Sequence, residues 1–285
     1  MLAAVGSFID ARSRGGRWLV RMEDLDRARV VPGSAAEILR TLEAFGLYWD
    51  GEVEYQSRRT DVYAEALITL RATGHTFECS CSRRELAENE AQGTEHPATP
   101  AGGEAQPYPG TCRGGPRRRG ATAMRFRIDE HETLVFEDRF QGRIELAMGR
   151  LGDVIVRRRD GVFAYQLAVV VDDALQGITD VVRGADLLES TGWQMALQRA
   201  LRQPTPQYAH LPLLLERTGG KLAKSRRSAA LDADHGGAEL LRVLRLLGLA
   251  PPEELAGATP AALLEWGVGR WRELALPLPR EVVLP

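Results

Sequence analysis

Residues 163–188, FAYQLAVVVDDALQGITDVVRGADLL, decide the fold of this 285-residue chain. The first half is apolar and suits a strand or a helix equally. The second half, ITDVVRG, reads as a strand that leads into a helix from about Ala185 to Leu201. Strand followed by helix is the α/β pattern, and the same order stands at the front of the chain. There Leu2, Val5, Phe8 and Ile9 have helical spacing without any capping residue before them, and Arg17 to Arg21 forms a strand. A helix capped by Ser34 follows, with Ile38, Leu39, Leu42 and Phe45 on one face and Gly46 at its end. Tyr63 to Thr73 gives another helix, closed by Gly74. Alternation of this kind predicts a parallel sheet, with ligands bound at the carboxyl ends of its strands, where MEDLD (22–26) lies.

Between these halves the texture changes. His75 to Cys81 is strand-like, and Ala87 to Thr122 is rich in Ala, Gly, Pro, Glu and Arg without periodicity, the composition of a long mobile loop. Strands return at Met124 to Ile128, Thr133 to Phe136 and Asp153 to Arg158, and Asp160-Gly161 is a turn. After Asp234 the chain is helical: Leu240, Leu241, Leu244 and Leu247 line one face, and Thr259-Pro260 starts a last helix through Trp271.

Composition narrows the function. With 44% hydrophobic and 27% charged residues the chain is neither disordered nor fibrous. No apolar run approaches the ~18 residues of a membrane span, and no leader pattern opens the sequence, so a cytoplasmic protein without a membrane partner is expected. The three cysteines do not form a disulfide framework. A net charge of −2 excludes a protein that coats nucleic acid through bulk charge, and Arg117 to Arg119, Arg157 to Arg159 and Arg226 to Arg227 read as solvated surface.

Three constellations carry chemistry. Cys79-Ser-Cys81 and Tyr108-Pro-Gly-Thr-Cys112 flank the loop and offer three thiolates to a metal such as zinc. A fourth ligand would come from His75, His96 or Tyr108, with His the usual choice. GGKLAKS (219–225) holds both lysines of a chain whose other basic residues are all arginine. Two compact ammonium groups and the Ser225 hydroxyl on a Gly-rich turn suit a polyphosphate. Glu23, Tyr165 and Arg183 would recognise an amino acid if they converged, the acid taking its ammonium and the guanidinium a carboxylate.

Taken in order, RMEDLDRAR (21–29), GLYWDG (46–51), YQSRR (55–59), the 163–188 stretch and GGKLAKS resemble the catalytic domain of the class I glutamyl-tRNA synthetases, over nearly the whole chain to about residue 230. Those enzymes continue into a large helical anticodon-binding region, whereas little more than fifty residues follow KLAKS here. That compactness, with Cys-x-Cys and Tyr-x3-Cys, is similar to the glutamyl-queuosine branch of the family, which glutamylates queuosine in the anticodon of tRNA(Asp). The resemblance implies a Rossmann-like α/β catalytic fold with a zinc-pinned insertion and a short helical C-terminal segment. It divides the chain into 1–74 (first part of the nucleotide-binding fold), 75–150 (zinc-containing insertion), 151–230 (second part, with KLAKS) and 231–285 (helical segment).

Residue by residue, the resemblance implies one zinc ion on Cys79, Cys81, Tyr108 and Cys112, and glutamate on Glu23, Tyr165 and Arg183. ATP with Mg2+ would be held by Lys224, Lys221 and Ser225, the two lysines being catalytic. Ala223 replaces the loop's usual central Ser, removing one hydroxyl donor. The partners implied are queuosine-bearing tRNA(Asp), glutamate and ATP, with the chain a monomer. The other readings are a non-catalytic zinc-containing tRNA-binding paralogue and a short synthetase charging tRNA(Glu). The family's Arg-Phe-Ala-Pro-Ser-Pro-like strand and His-x-Gly-His-like signature do not occur in these residues. The expectation is that Met1 is an internal start lying within the first helix. The chain as written should then activate glutamate weakly or not at all and be poorly stable.

Overall fold

The computed structural model describes residues 1–82, 84–86, 107–215, 236–274 and 276–283. The chain opens with α1 (Leu2–Ser13), which has no side-chain cap. Residues 17–20 are extended but only β1 (Arg21–Met22) pairs regularly, in parallel with β2 (Glu54–Tyr55). The strand expected over Arg17 to Arg21 is therefore shifted towards Met22, because residues 18–20 meet the facing chain irregularly, Trp18 and Val20 carbonyls accepting from Asp50 and Glu54. Helix α2 (Ser34–Ala44) is not capped by Ser34 but preceded by Gly33 at φ 85°, which leaves Ser34 inside the first turn. Phe45 and Leu42 are buried, whereas Ile38, a turn nearer the N-terminus, projects past the edge of that core and is 49% exposed.

Helix α3 (Thr60–Ala72) leads to β3 (Thr76–Cys79), and further along the chain come β4 (Ala123–Phe126), β5 (Thr133–Asp138) and β6 (Gly142–Ala147). Then follow α4 (Met148–Leu151), β7 (Val154–Arg157), α5 (Tyr165–Gln176), β8 (Asp180–Gly184), α6 (Ser190–Ala200), β9 (Gln207–Leu211) and β10 (Leu213–Leu215). The described chain ends with α7 (Gly236–Leu246), α8 (Pro260–Arg270) and β11 (Glu281–Val283), which pairs in parallel with β10. The ambiguous 163–176 segment is thus mainly helix, stopped by Gly177 in the left-handed region at φ 66°. The expected helix from Ala185 begins with a separate 3-10 turn, and α6 proper starts at Ser190.

The main sheet has the order β6-β5-β9-β8 and is mixed, not wholly parallel. Strands β8 and β9 pair in parallel from Asp180↔Gln207 to Gly184↔Leu211, while β5 and β6 form an antiparallel hairpin. Strand β5 touches β9 at Asp138↔Tyr208. The sequence reading lacked β6 and β9, whose short runs carry no flanking pattern of their own. A second sheet, β3-β4-β7, is antiparallel.

Helix α1 lies on the main sheet, and Gly6 permits it: a Cβ there would stand 2.6 Å from Leu211 Cδ1. Val5, Phe8 and Ile9 bury themselves with Phe45, Leu211, Leu244 and Leu264. Buried Asp10 on α1 accepts from Arg139 at 2.7 Å and from Trp271 Nε1 at 2.9 Å, tying helix, sheet and C-terminal segment together. Helices α3, α5 and α6 share a second core through Tyr63, Leu67, Leu167, Val170 and Leu197.

Of the loop expected over 87–122, residues 107–122 are described: Tyr108 and Cys112 are buried, at 8% and 0% exposed, whereas residues 116–121 are exposed. Arg113 fixes this segment through two 2.7 Å bonds to the buried Asp153 carboxylate, and Ser80 Oγ accepts the backbone N–H groups of Arg117 and Arg118. Among the described residues no helix is long and apolar enough to cross a membrane.

Candidate active site and metal centre

Two clusters of polar side chains occupy different parts of the fold. The first forms where β1, β8 and α5 come together. Arg183 stands near the end of β8, Tyr165 is the first residue of α5, and Glu23 follows β1 directly. The fold brings these three sequence-selected residues into one site. Arg183 Nη1 lies 3.5 Å from the Tyr165 hydroxyl, and Glu23 interacts electrostatically with both. Glu23 keeps 43% of its side chain open to solvent but is otherwise ringed by protein. That desolvation raises its carboxyl above the ordinary range, against the pull of Arg21. Burial likewise raises the Tyr165 phenol.

The groups that surround these three were not singled out from the sequence. Arg21 is paired with Asp173 at 2.9 Å and donates to Gln176 Oε1 at 2.7 Å. The neighbouring Asp172, fully buried, accepts from Arg59 Nε at 2.8 Å, Gln56 Nε2 at 2.9 Å and the Tyr63 hydroxyl at 2.7 Å. Arg183, 8% exposed, donates through Nη2 to Thr191 Oγ1 at 2.9 Å and the Leu187 carbonyl at 3.2 Å, and through Nε to His210 Nε2 at 3.1 Å. Its Nη1 is left to the Tyr165 hydroxyl. The only signal for this shell was the acidic pair Asp172-Asp173 inside an apolar run, and pairing over more than a hundred residues leaves no local pattern.

The second cluster joins β3 to the 107–113 turn. The Sγ atoms of Cys79, Cys81 and Cys112 all lie within 4.8 Å of one another, and Cys81 and Cys112 are 3.5 Å apart. The Tyr108 hydroxyl is 3.4 Å from Cys79 Sγ and 3.5 Å from Cys81 Sγ. A tetrahedral Zn2+ with bonds of ~2.3 Å to sulfur needs donor separations of roughly 3.5–3.8 Å. The Cys81–Cys112 pair and the Tyr108 contacts meet that spacing, and the three sulfurs lie close enough together for the cluster to hold a metal ion. His75 is not in the cluster: it bonds to Thr73 at 3.0 Å and stacks on Phe126, so the general preference for a His ligand does not hold among the described residues. His96 lies outside those residues.

Burial pushes the Cys81 thiol up to about 11 and raises the Tyr108 hydroxyl further. Burial would raise Cys112 too, but hydrogen bonding from Tyr108, Ser80 and Cys81 outweighs it and brings that thiol down to about 6. Arg125 lies over the Tyr108 ring at 3.8 Å, a cationic neighbour favourable to electron-rich oxygen.

Lys221, Lys224 and Ser225 lie outside the described residues, as do Arg226 and Arg227. The arginines of 157–159 are engaged with the protein: Arg157 lies over Phe163, Arg158 pairs with Asp26 and Asp160, and Arg159 donates to the Ser80 and Cys81 carbonyls.

Residues 2–257 match the family described as tRNA synthetases class I (E and Q), catalytic domain. The chain belongs to this class I synthetase family. Within it, the synthetase is 51% identical over 287 residues to a Glutamyl-Q tRNA(Asp) synthetase of Dechloromonas aromatica, covering 100% of this chain and 93% of that protein. Proteins of the same name from Pseudomonas aeruginosa and Thiobacillus denitrificans are 48% and 50% identical, covering 100% and 95% of this chain and 92% and 87% of their own. Among solved structures, a glutamate tRNA ligase of Elizabethkingia meningosepticum in complex with its amino acid aligns with TM-score 0.67 and 27% identity over 78% of the synthetase and 48% of the ligase. The glutamate-tRNA synthetase of Elizabethkingia anophelis gives TM-score 0.68 at 27% identity, over 78% and 49% respectively. The synthetase chain thus spans about half the length of these two solved ligases.

Proposed function

We propose that the chain activates L-glutamate with ATP and transfers it to queuosine in the anticodon of tRNA(Asp). The observation that carries this reading is the convergence of Glu23, Tyr165 and Arg183 at one opening, in a chain about half identical to the glutamyl-Q tRNA(Asp) synthetases. Glu23 accepts the ammonium of glutamate. Arg183 is held too tightly from behind to follow a reacting group, so Nη1 takes the γ-carboxylate, with the Tyr165 hydroxyl beside it. The α-carboxylate is then free to attack the α-phosphate of ATP in line, forming the glutamyl-adenylate and releasing pyrophosphate. Lys221, Lys224 and Ser225 bind the phosphates, and Mg2+ accompanies the nucleotide as it does for polyphosphates. A hydroxyl of the queuosine cyclopentene ring attacks the activated carbonyl, loses its proton and releases AMP.

In this reading Cys79, Cys81, Cys112 and Tyr108 hold one structural Zn2+, whose charge stabilises their deprotonated forms and fixes the turn over β3. Residues 1–74 and 151–230 form the nucleotide-binding fold, 75–150 the zinc-pinned insertion and 231–285 the helical segment, in a cytoplasmic monomer.

The test incubates labelled glutamate and ATP with tRNA(Asp), with and without queuosine, then cuts the tRNA with a guanosine-specific ribonuclease. It uses the 285-residue chain and, in parallel, the same chain extended by any in-frame upstream codons. Label on the anticodon-loop fragment of queuosine-bearing tRNA(Asp) alone is expected. In a parallel reaction with tRNA(Glu), label at its 3′ end would assign a short charging synthetase instead. RNA binding without label from either form would assign a non-catalytic paralogue.

A further inference from the structure

The buried pair behind Arg183 has no part in the chemistry above. His210 and Asp138 are 0% and 2% exposed, on the adjacent strands β9 and β5. His210 Nδ1 lies 2.6 Å from Asp138 Oδ2. Arg183 Nε lies 3.1 Å from the other ring nitrogen, Nε2. An arginine Nε–H only donates, so Nε2 must accept, and the single imidazole proton sits on Nδ1, facing the carboxylate. The other oxygen, Asp138 Oδ1, accepts three backbone N–H groups, from Phe140 at 3.0 Å, Gln141 at 2.9 Å and His210 at 3.0 Å. These three donors leave the carboxylate no freedom to rotate. Its orientation fixes the tautomer, and the tautomer fixes Arg183.

We infer that His210, oriented by Asp138, is a positioning residue for the amino-acid site. It locks the Arg183 guanidinium so that Nη1, beside Tyr165, faces the carboxylate of the incoming substrate. Arg183 Nε and Nη2 are consumed by His210, Thr191 and the Leu187 carbonyl, which leaves Nη1 as the nitrogen aimed outward. Tyr208 completes the seat: its ring lies 5.3 Å from the guanidinium carbon and 6.2 Å from the imidazole, nearly parallel to the latter, with its hydroxyl held by Gln198. The arrangement confines a side chain with several rotatable bonds before substrate arrives, so less ordering is required on binding. The proposal rests on the assignment of Arg183 to glutamate.

Single substitutions separate the two ends of the relay. The amide nitrogen of Asn overlays Nδ1 of histidine, whereas the amide of Gln overlays Nε2. His210→Asn therefore keeps the bond to Asp138 and removes the acceptor of Arg183; His210→Gln restores an acceptor near Arg183 and loses the carboxylate. Asp138→Asn is the sharpest change. Its oxygen stays on the three backbone donors, so its NH2 faces Nδ1 and drives the imidazole proton to Nε2, against Arg183 Nε–H.

The experiment is NMR titration of the full chain with L-glutamate, with 15N-labelled histidine to read the His210 tautomer. Wild type should show the Nδ1–H tautomer at neutral pH. Asp138→Asn should show Nε2–H and bind glutamate about tenfold more weakly or worse, the scale of a lost charge-assisted hydrogen bond. His210→Asn should lose a similar factor, while His210→Gln stays within about threefold of wild type. Unchanged affinity in both Asn variants, when Arg183→Ala abolishes binding, would overturn the positioning role and leave the glutamate assignment standing. Unchanged affinity in Arg183→Ala would overturn that assignment and this proposal with it. A wild-type Nε2–H tautomer or imidazolium refutes the relay without requiring any variant to fold.

Discussion

The thiol cluster and the arginine pocket solve the problem of burying polar atoms in opposite ways. Around Arg183 and Asp172 each charge already has protein partners: hydrogen bonds of 2.7–3.2 Å link cation to acceptor and carboxylate to donor, drawn from residues between Arg21 and His210. At Cys79, Cys81, Tyr108 and Cys112 the side-chain atoms are all potential anions, drawn from one 34-residue stretch; apart from the Cys112 backbone N–H donated to the Tyr108 hydroxyl at 2.8 Å, the contacts among them are sulfur interactions of 3.4–3.5 Å. Thiols donate weakly, so these contacts return little of the cost of burial. In the first region Arg21, Asp172 and Arg183 have hydrogen-bonded partners within the protein, whereas Glu23 lacks a close one among the described residues. The second is a set of donors that could hold a metal ion.

The strongest way to break this contrast is Cys112→Ser. Cys112 is fully buried, and hydrogen bonding from Tyr108, Ser80 and Cys81 brings its thiol down to about 6 against the effect of burial, which favours the thiolate a cation needs. If the donors hold zinc, metal analysis of wild type should give one ion per chain, and the variant should retain less than about a tenth of that. Structural zinc binding contributes on the order of 10 kcal/mol in small metal-dependent folds. Retention of stoichiometric zinc by the variant would remove Cys112 from the ligand set and erase the distinction between the regions.

The arginine pocket should instead be indifferent to chelators but intolerant of losing one internal partner. Asp172→Ala removes the acceptor shared by Gln56, Arg59 and Tyr63 and leaves buried donors unpaired. The expected cost is about 3–5 kcal/mol, read from denaturant unfolding with zinc present. A loss below about 1 kcal/mol would mean that water replaces the carboxylate and that the site is not closed on itself.

This contrast also explains what the sequence made legible. The candidate metal donors come as two short motifs whose spacing put them together; the residues alone left the fourth position open among His75, His96 and Tyr108, and the resemblance chose Tyr108, which the structure places beside the three sulfurs. Glu23, Tyr165 and Arg183 could be chosen from their chemistry, but nothing local showed that β1, α5 and β8 would bring them together. Asp138 and His210 were invisible, since their meaning lies in one cross-sheet contact 72 residues apart. Similarly, α5 looked ambiguous because burial on most sides hides helical periodicity, and β9 went unread because its partners β5 and β8 are distant in the chain.

The smallest expected effect tests where the two strategies meet. Glu23 lies in the pocket but, unlike Asp172, has no close hydrogen-bonded partner among the described residues; its nearest cation is Arg21 at 3.8 Å. Partial desolvation raises its folded-state pKa above the ordinary value of 4.5, with Asp173 and Asp172 adding repulsion. The folded chain consequently binds this proton more tightly than the unfolded chain. Below pH 4.5 the carboxyl is protonated in both states and carries no penalty; as pH rises through the folded pKa, the carboxylate forms in the pocket and stability falls. Glu23→Gln should then raise stability at neutral pH by less than about 1 kcal/mol, given the solvent exposure of the side chain, and by nothing well below pH 4.5. The same variant should weaken glutamate binding, because the ammonium loses its counter-charge. Thermal unfolding at both pH values, paired with a glutamate titration, reads the two effects. A stability gain that persists unchanged at the acidic pH would show that packing, not the carboxylate's charge, sets it; a neutral-pH gain with weaker binding shows a pocket that keeps one charge unsatisfied so that substrate can satisfy it.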